Sequence, residues 1–290
     1  MSHFLLHCSA MARQRLGQHF LSDEHWREQI ARAIGVSPHT SLVKAAPDPQ
    51  KSCWIEVGAG HGEMTQHLLA TGLPVYAIEL DEPLAQRLRQ LAKKSPNLTV
   101  VHADVLHTDL RQLAAGRRIH LYGNLPYYIT SPILQHLFAI ADAIDEIHIV
   151  IQDEVALRLA AAPDSRDYGY LSVLTQLYTR PEYVFQIPRE AFSPPPDVAS
   201  ALVTLRLPGE RAKLNLTEEA TAAFLDFVKL CFSKKRKTLV NNLRAIANPD
   251  AIRSALATQR LRPDARAEQL SIPQFAGLRS ALAQGALAKK

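Results

Sequence analysis

Between Cys53 and Gln152 the chain alternates short apolar runs with segments whose apolar residues recur every three or four positions. The runs have the length of buried strands: CWIEV, PVYAIEL, LTVVHAD, IHLYGNL and EIHIVIQ. The segments between them have helical spacing: MTQHLLATG, LAQRLRQLAKK and PILQHLFAIA. Repeated strand–helix units predict a parallel sheet covered by helices on both faces. We therefore expect an α/β fold.

The rest of the chain divides into two parts. YGYLSVLTQLY has helical spacing, and PEYVFQIP and ASALVTLRL are predicted to be two late strands joined by the loop REAFSPPPDV. Residues 208–216 resemble a linker, and every later segment has helical spacing: EEATAAFLDFVKLCF, KTLVNNLRAIA, PDAIRSALATQ and PQFAGLRSALAQ. The sequence predicts one domain over residues 11–207 and a small all-helical domain over residues 208–290.

The charge differs between these two parts. From Gly209 onward there are 15 Lys and Arg against 7 Asp and Glu, a balance of +8. Residues 1–208 carry 18 basic and 21 acidic residues, a balance of −3. A basic domain beside a near-neutral one favours a polyanionic partner, although an ordinary basic helical domain would have the same composition.

Several classes of protein are disfavoured. No apolar run approaches the ~20 residues of a membrane helix. The first ten residues have no basic leader, so a signal peptide is not expected, and Met11 is an alternative start. The cysteines Cys8, Cys53 and Cys231 are too scattered for a disulfide framework, and the twelve histidines lack ligand spacing. We expect a cytoplasmic protein without a metal site.

A glycine-rich turn follows the first strand of the predicted sheet. The stretch EVGAGHG (56–62) has the spacing G-x-G-x-G, unlike the dinucleotide pattern G-x-G-x-x-G, and no Walker lysine follows it. Glu79, Asp104 and Asn124 then end the next three strands. Each could be a solvated turn residue. Because ligands of open α/β sheets bind at the carboxyl ends of strands, the four ends together predict a nucleoside site.

The chemistry of these residues favours S-adenosylmethionine as that nucleoside. Carboxylates at successive strand ends suit hydroxyl and amino groups better than phosphate. In this interpretation Glu79 binds the ribose diol, Asp104 binds the adenine amine, and the Gly58 loop lies near the methionine portion.

The tetrapeptide Asn124-Leu125-Pro126-Tyr127 lies between a predicted strand and a predicted helix. An ordinary turn has the same residue types. An alternative is a pocket for a planar amine. The side-chain oxygen of Asn124 and the carbonyl of Leu125 could accept both N–H groups of an adenine amine, because a residue before proline is pushed out of the helical region. Pro126 has no N–H to compete, and Tyr127 offers a face for stacking.

Nearly the whole chain, from Arg13 to about Leu278, resembles the ribosomal RNA adenine dimethyltransferases that act on the small ribosomal subunit, and seven stretches match. They are RLGQHFLSD, EVGAGHGEMT, NLPYYITSPI, IQDEVALRLAA, YGYLSVLTQ, FSPPPDVASALVTL and FSKKRKTLVNNL. The resemblance implies a Rossmann-like S-adenosylmethionine-dependent methyltransferase domain with a small helical C-terminal domain. It implies transfer of two methyl groups to each of two adjacent adenosines near the 3′ end of small-subunit RNA. Nothing in the sequence demands more than a monomer.

The resemblance also implies roles for individual residues. The cofactor pocket would be lined by His19, Leu21, Gly58, Gly60, Glu79, Asp104 and Asn124. Residues 124–127 would hold the target adenine and Phe192 would close on its other face, although an aromatic before three prolines is more often a packed loop anchor. Lys234, Lys235, Arg236 and Lys237 would contact phosphate, although such a run is usually a solvated helix end.

This chain departs from the family pattern at four positions. His19 stands where Asn is frequent, Asp153 where Lys is common, Tyr170 where Arg is common, and Asp197 where a basic residue is frequent. The last three remove positive charge from places that could face RNA.

Three other functions remain open from the sequence. The chain could methylate large-subunit RNA, as the antibiotic-resistance relatives do, since these share the glycine loop and an Asn-x-Pro-aromatic motif. It could methylate a protein glutamine, whose planar amide fits a similar tetrapeptide. It could also be a non-catalytic assembly factor that binds pre-ribosomes through its basic surface.

Overall fold

The structure is a computed structural model that describes residues 19–37 and 48–287, with side chains described as far as residue 284. Two compact units are present: residues up to 156 together with 182–207, and residues 157–181 together with 208 onward. The segment 157–181 thus belongs to the second unit, which the sequence did not indicate. The domain bounds 11–207 and 208–290 stay a prediction, and residue 11 lies outside the described part.

The first unit is built on a seven-stranded sheet with the order β4-β3-β2-β5-β6-β9-β7. The strands are β1 Phe20–Leu21, β2 Ser52–Val57, β3 Val75–Glu79, β4 Leu98–His102, β5 Arg118–Asn124, β6 Ile144–Gln152, β7 Arg180–Ile187, β8 Phe192–Ser193 and β9 Ser200–Arg206. The five strands from β4 to β6 are parallel, as the alternating pattern predicts. β9 pairs with β6 antiparallel, so the sheet is mixed and not wholly parallel.

Helices precede, connect or follow the parallel strands. They are α1 Glu24–Ala33, α2 Glu63–Leu69, α3 Glu82–Ala92, α4 Leu110–Ala114, α5 Thr130–Phe138 and α6 Asp153–Ala160. Asp81 accepts a 3.1 Å hydrogen bond from Leu84 N at the start of α3, and Asp109 accepts one of 3.0 Å from Gln112 N at the start of α4. These side-chain caps determine where α3 and α4 begin.

One sheet face packs against α1 and α2. The register places Trp54 beside His120 and Glu56 beside Tyr122, so alternate residues of neighbouring strands share a face. Ile30 of α1 and Leu68 of α2 are fully buried in the cluster that also contains Tyr122. This packing holds the strands in place, and so it positions the side chains at the strand ends.

A two-stranded ribbon lies beside this sheet in the first unit. β1 pairs antiparallel with β8, with Leu21 opposite Phe192 and Phe20 opposite Ser193. Leu21 and Phe192 are both buried in the core cluster of α1 and α2. The pairing joins segments about 170 residues apart in the chain and holds the start of the described region against the sheet.

The second unit is helical, as predicted. Its helices are α7 Tyr170–Tyr178, α8 Glu210–Lys213, α9 Glu218–Cys231, α10 Leu239–Asn242, α11 Pro249–Thr258 and α12 Ile272–Leu287. Its core contains Leu177, Phe224, Leu243 and Phe275, all fully buried. Two predictions were wrong in detail. The expected helix over 237–247 is only the one-turn α10, and the expected linker contains α8.

Candidate active site

A cavity lies at the carboxyl ends of β2, β3, β4 and β5 in the first unit. The cavity and its mouth together hold about 830 Å³ of space, part of which is open to solvent. Its lining residues are His19, Phe20, Val57, Gly58, Ile78, Glu79, Leu80, Ala103, Asp104, Val105, Asn124, Leu125, Pro126, Tyr127, Tyr128, Ile129 and Ile133. The four strand ends that the sequence indicated therefore meet in one place.

The glycine loop needs its glycines for two reasons. Gly58, Gly60 and Gly62 have φ values of +69°, +57° and +85°, which L side chains rarely adopt. A Cβ at Gly60 would also lie 3.1 Å from the Phe20 ring. The loop can therefore bring its backbone close to a ligand while the Phe20 ring packs over it.

Glu79 is a buried acid that supports this loop. It is 3% exposed. Its carboxylate accepts hydrogen bonds of 2.8 Å from Gly60 N and 2.9 Å from Asp81 N. Burial raises the pKa of Glu79, while these backbone donors act in the opposite direction. Gly60 thus contributes through its N–H group and is not itself among the lining residues.

Asp104 follows β4 and caps the short 3₁₀ turn Val105–His107, accepting a 2.9 Å hydrogen bond from Leu106 N. Its second carboxylate oxygen lies 3.3 Å from Nδ1 of His107. The His107 side chain is 84% exposed. An acceptor held in this way at the cavity wall suits an amino group.

Asn124 ends β5 and has a fixed amide orientation. Its Nδ2 donates a 2.8 Å hydrogen bond to the carbonyl oxygen of His19. Because only the NH₂ group can donate to a carbonyl, Oδ1 is the atom left for a ligand. Leu125 N in turn donates 3.0 Å to Val150 O, which anchors the tetrapeptide to β6.

Two neighbours hold the ring of Tyr127. Its hydroxyl lies 2.7 Å from Ser200 Oγ, within hydrogen-bonding distance. The His19 ring stacks on it with centroids 5.8 Å apart and 25° between the planes. His19 Nδ1 donates 2.9 Å to Pro194 O. His19 thus lies against the tetrapeptide as well as lining the cavity.

The structure brings most, but not all, of the predicted site residues together. His19, Gly58, Glu79, Asp104 and the tetrapeptide 124–127 line the cavity. Gly60, Leu21 and Phe192 do not. Leu21 is 7% and Phe192 2% exposed, and the two pack in the core where β1 meets β8. In this structure Phe192 packs as a loop anchor, and its role against the target adenine stays a prediction.

Sequence reasoning missed several cavity residues. Phe20 sits between two predicted positions, and Leu80 directly follows Glu79. Tyr128 adjoins the tetrapeptide and is 63% exposed. Each of these residues is adjacent in sequence to a predicted site residue, which could have identified it as a candidate. Which of two adjacent side chains faces the cavity, however, depends on the fold.

Of the departures from the family pattern, Asp153 has a local explanation in its hydrogen bonds. Asp153 accepts hydrogen bonds of 2.7 Å from Tyr183 Oη and 2.9 Å from Gln186 Nε2, both from β7. Tyr170 lies in the second unit, half-buried against its core. Asp197 is exposed. The Asp153 carboxylate is thus used within the first unit to bind β7.

The basic run Lys234–Lys237 lies in the second unit, on an exposed turn between α9 and α10. Among the described residues, no acidic side chain pairs with any of the four. Nothing in the described ranges groups three or more His, Cys, Asp or Glu side chains in a way that could hold a metal ion. No helix in the described part is long and apolar enough to cross a membrane.

Known proteins resemble this chain over most of its length. The Ribosomal RNA small subunit methyltransferase A of Xanthomonas euvesicatoria pv. vesicatoria is 39% identical over 267 residues, which cover 92% of this chain and 95% of the relative. The crystal structure of the 23S rRNA methyltransferase ErmE matches with a TM-score of 0.67 and 26% identity, over 91% of this chain and 100% of that one.

A second solved structure supports the fold. A dimethyladenosine transferase from Plasmodium falciparum matches with a TM-score of 0.72 and 22% identity, over 92% of this chain and 98% of that one. The predicted Rossmann-like α/β fold with a helical second part is thus confirmed. The family model described as ribosomal RNA adenine dimethylase matches residues 10–284. On this match the chain belongs to the ribosomal RNA adenine dimethylase family.

Proposed function

We propose that this protein transfers methyl groups from S-adenosylmethionine to the N6 atoms of two adjacent adenosines near the 3′ end of small-subunit ribosomal RNA. The observation that carries the proposal is the hydrogen bond from Asn124 Nδ2 to His19 O, which leaves Oδ1 as an acceptor in a cavity lined by Gly58, Glu79 and Asp104. An acceptor beside a nucleoside site is what an adenine amine requires.

The cavity residues fit S-adenosylmethionine. A Cβ at Gly58 would make only an ordinary 3.8 Å contact with the carbonyl oxygen of Asn124, so the φ angle of +69° is what favours glycine beside the tetrapeptide. Glu79 would hold the ribose diol, Asp104 the adenine amine, and the Gly58 loop the methionine portion. When bound, S-adenosylmethionine supplies a methyl group on a positively charged sulfur. The predicted absence of a metal ion from the reaction stays a prediction.

The tetrapeptide would prepare the target amine for attack. In free adenine the lone pair of this nitrogen is delocalised into the ring, which makes it a poor nucleophile. Asn124 Oδ1 and the Leu125 carbonyl can accept its two N–H groups and favour a pyramidal nitrogen. Pro126, with φ −58° and ψ 131°, is extended and has no N–H to compete.

No strong base is needed at this nitrogen. Its proton becomes acidic only after the new C–N bond has formed, so positioning and electrostatics carry the rate. The Tyr127 ring, held by Ser200, would fix the base plane. Burial raises the pKa of the Tyr127 hydroxyl, so it stays neutral and suits a positioning role.

The choice of the small subunit rests on the comparisons. A relative named for the small subunit is 39% identical over 92% of this chain. ErmE, named for 23S RNA, is 26% identical. The higher identity of the first favours the small subunit over the large one. Contact of Lys234–Lys237 with phosphate, action as a monomer and a cytoplasmic location remain part of this proposal.

The test is methyl transfer from radiolabelled S-adenosylmethionine to three substrates: undermethylated small subunits, large subunits and protein-free small-subunit RNA. The proposal predicts label on small subunits. Label on large subunits alone would assign the protein to the second candidate, methylation of large-subunit RNA. Binding of small subunits without transfer would leave a non-catalytic assembly factor.

A further inference from the structure

Tyr127 and Tyr128 are adjacent but lie in different environments. Tyr127 is half-buried with its hydroxyl at Ser200, whereas Tyr128 is 63% exposed and still lines the cavity. Within the described ranges, Tyr128 has neither a hydrogen bond from its hydroxyl nor a ring partner. A large aromatic left in water at the mouth of a site is a candidate for ligand contact.

The backbone under Tyr128 is well fixed. Residues 127–129 form a 3₁₀ turn, in which Ile129 N donates 3.2 Å to Pro126 O. Thr130, which is 3% exposed, donates 3.3 Å from Oγ1 to the same carbonyl. A tyrosine side chain has only two rotatable angles. Ligand binding to Tyr128 would therefore cost little conformational entropy.

Other aromatic rings near the site are less available. One face of Tyr127 is covered by His19, with ring centroids 5.8 Å apart. Phe192 is 2% exposed in the core. Phe20 packs over Gly60 and against the His61 ring, 4.6 Å between centroids. Of these aromatic side chains, Tyr128 has the most open face.

We propose that Tyr128 stacks on the RNA base next to the target adenosine, and so determines how tightly the RNA substrate binds. The inference rests on the proposed function. An enzyme that acts on an extruded base leaves the neighbouring base unstacked, and an aromatic ring can replace the lost stacking. Leu125, whose carbonyl would accept the target amine, is 1% exposed, whereas Tyr128 lines the same cavity and is 63% exposed.

This position also suits a substrate of two adjacent adenosines. Stacking on a ring tolerates any base, because every base has a π face. When one adenosine is in the cavity, its neighbour can lie on Tyr128 whether or not it is already methylated. Tyr128 would thus be a positioning residue for RNA and would not touch the methyl donor.

The kinetic experiment uses the full chain with Tyr128→Ala and Tyr128→Phe, on undermethylated small subunits. Leu157→Ala, which removes another exposed apolar side chain of 44% exposure, is the control. We expect Tyr128→Ala to raise KM roughly tenfold, with kcat within about twofold and the S-adenosylmethionine Kd unchanged by calorimetry. Tyr128→Phe should restore the wild-type KM, because the ring carries the contact.

A second measurement does not need turnover. A single-stranded oligoribonucleotide of the target sequence carries 2-aminopurine next to the target adenosine, and its fluorescence is read on adding protein. Wild type should quench it and Tyr128→Ala should not. Wild-type KM and quenching in Tyr128→Ala would overturn the inference, as would a weakened S-adenosylmethionine Kd. If wild type methylates no RNA, the proposed function fails, and the fluorescence result alone decides the stacking.

Discussion

Asn124 donates a 2.8 Å hydrogen bond from its side chain to the backbone carbonyl of His19, which lies 105 residues earlier in the chain. This bond links the end of β5 to the residue that precedes β1. It determines which end of the Asn124 amide faces the cavity, and therefore which chemical group the cavity can bind. A carbonyl acceptor there suits an N–H donor of the substrate.

Replacing Asn124 tests this relationship. Asn124→Ala removes the acceptor, and Asn124→Asp cannot donate to the His19 carbonyl. We expect both to lower kcat for methyl transfer at least about 100-fold, because a misplaced amine is a poor nucleophile, while binding to small subunits is largely kept.

The control is Asn97→Ala. Asn97 donates 2.9 Å to Leu73 O, so it too supports the backbone, but it is not among the cavity residues. This variant should lose stability and keep its turnover. Wild-type turnover in Asn124→Ala would show that Asn124 does not position the amine.

Glu79→Gln should weaken cofactor binding. Both oxygens of Glu79 accept backbone N–H groups, from Gly60 and from Asp81. Gln offers one oxygen and places its NH₂ against the other donor. We expect the S-adenosylmethionine Kd, measured by calorimetry, to rise at least about tenfold, because the change removes an acceptor for the ribose diol and disturbs the backbone of the glycine loop. The control is Glu82→Gln, a change at a partly exposed acid three residues later, which should bind S-adenosylmethionine normally. Equal S-adenosylmethionine affinities for the two variants would contradict the role of Glu79 in cofactor binding.

Glu56 predicts a pH dependence of stability. It is 1% exposed and accepts a 2.5 Å hydrogen bond from Thr65 Oγ1. Burial raises its pKa from 4.5 to about 8. A carboxyl with a raised pKa in the folded state stabilises the fold below its unfolded pKa, and this contribution is lost as pH rises through the folded pKa. Between about pH 4.5 and 8, the free energy of unfolding should fall by up to about 1.4 kcal/mol per pH unit from this group.

Glu56→Gln removes this titration. Its stability should equal or slightly trail that of wild type at pH 5 and exceed it at pH 8, as measured by urea unfolding at several pH values. Glu190→Gln, at an exposed acid of the same unit, should follow the wild-type profile. Parallel pH profiles for wild type and Glu56→Gln would refute a neutral buried carboxyl.

The lysine pairs test the proposed RNA surface. Lys234→Ala with Lys235→Ala should flatten the dependence of log K on log salt by about 0.7–0.9 for each lysine–phosphate interaction that is removed, since fewer counterions are released. Lys93→Ala with Lys94→Ala is a matched control, because this pair is also adjacent and exposed but lies in the other unit. Equal salt slopes for the two double variants would show that Lys234 and Lys235 make no phosphate contact.

Strand ends were the most predictable part of the site. Glu79, Asp104 and Asn124 each follow an apolar run, and parallel strands place their carboxyl ends at one edge. The apolar pattern of each strand, together with the rule that ligands bind at the carboxyl ends of parallel strands, is therefore enough to predict these three site residues. The same holds for the glycine loop, whose spacing reflects the positive φ angles that it adopts.

Residues that depend on distant pairing were less predictable. Phe192 is buried because β8 pairs with β1, and neither two-residue strand has a periodicity that a sequence can show. β9 pairs antiparallel with β6 only after the chain has left the first unit at residue 157 and returned at 182, and the local pattern of β9 does not show this direction. Which of Tyr127 and Tyr128 is exposed follows from the bond to Ser200, 73 residues away.

The most direct test of the central claim is nucleoside analysis by mass spectrometry of small-subunit RNA after reaction with wild type and with Asn124→Ala. The account predicts N6,N6-dimethyladenosine at two adjacent positions near the 3′ end with wild type and none with the variant. The same dimethylated product from both proteins, or no methylated adenosine from wild type, would contradict it.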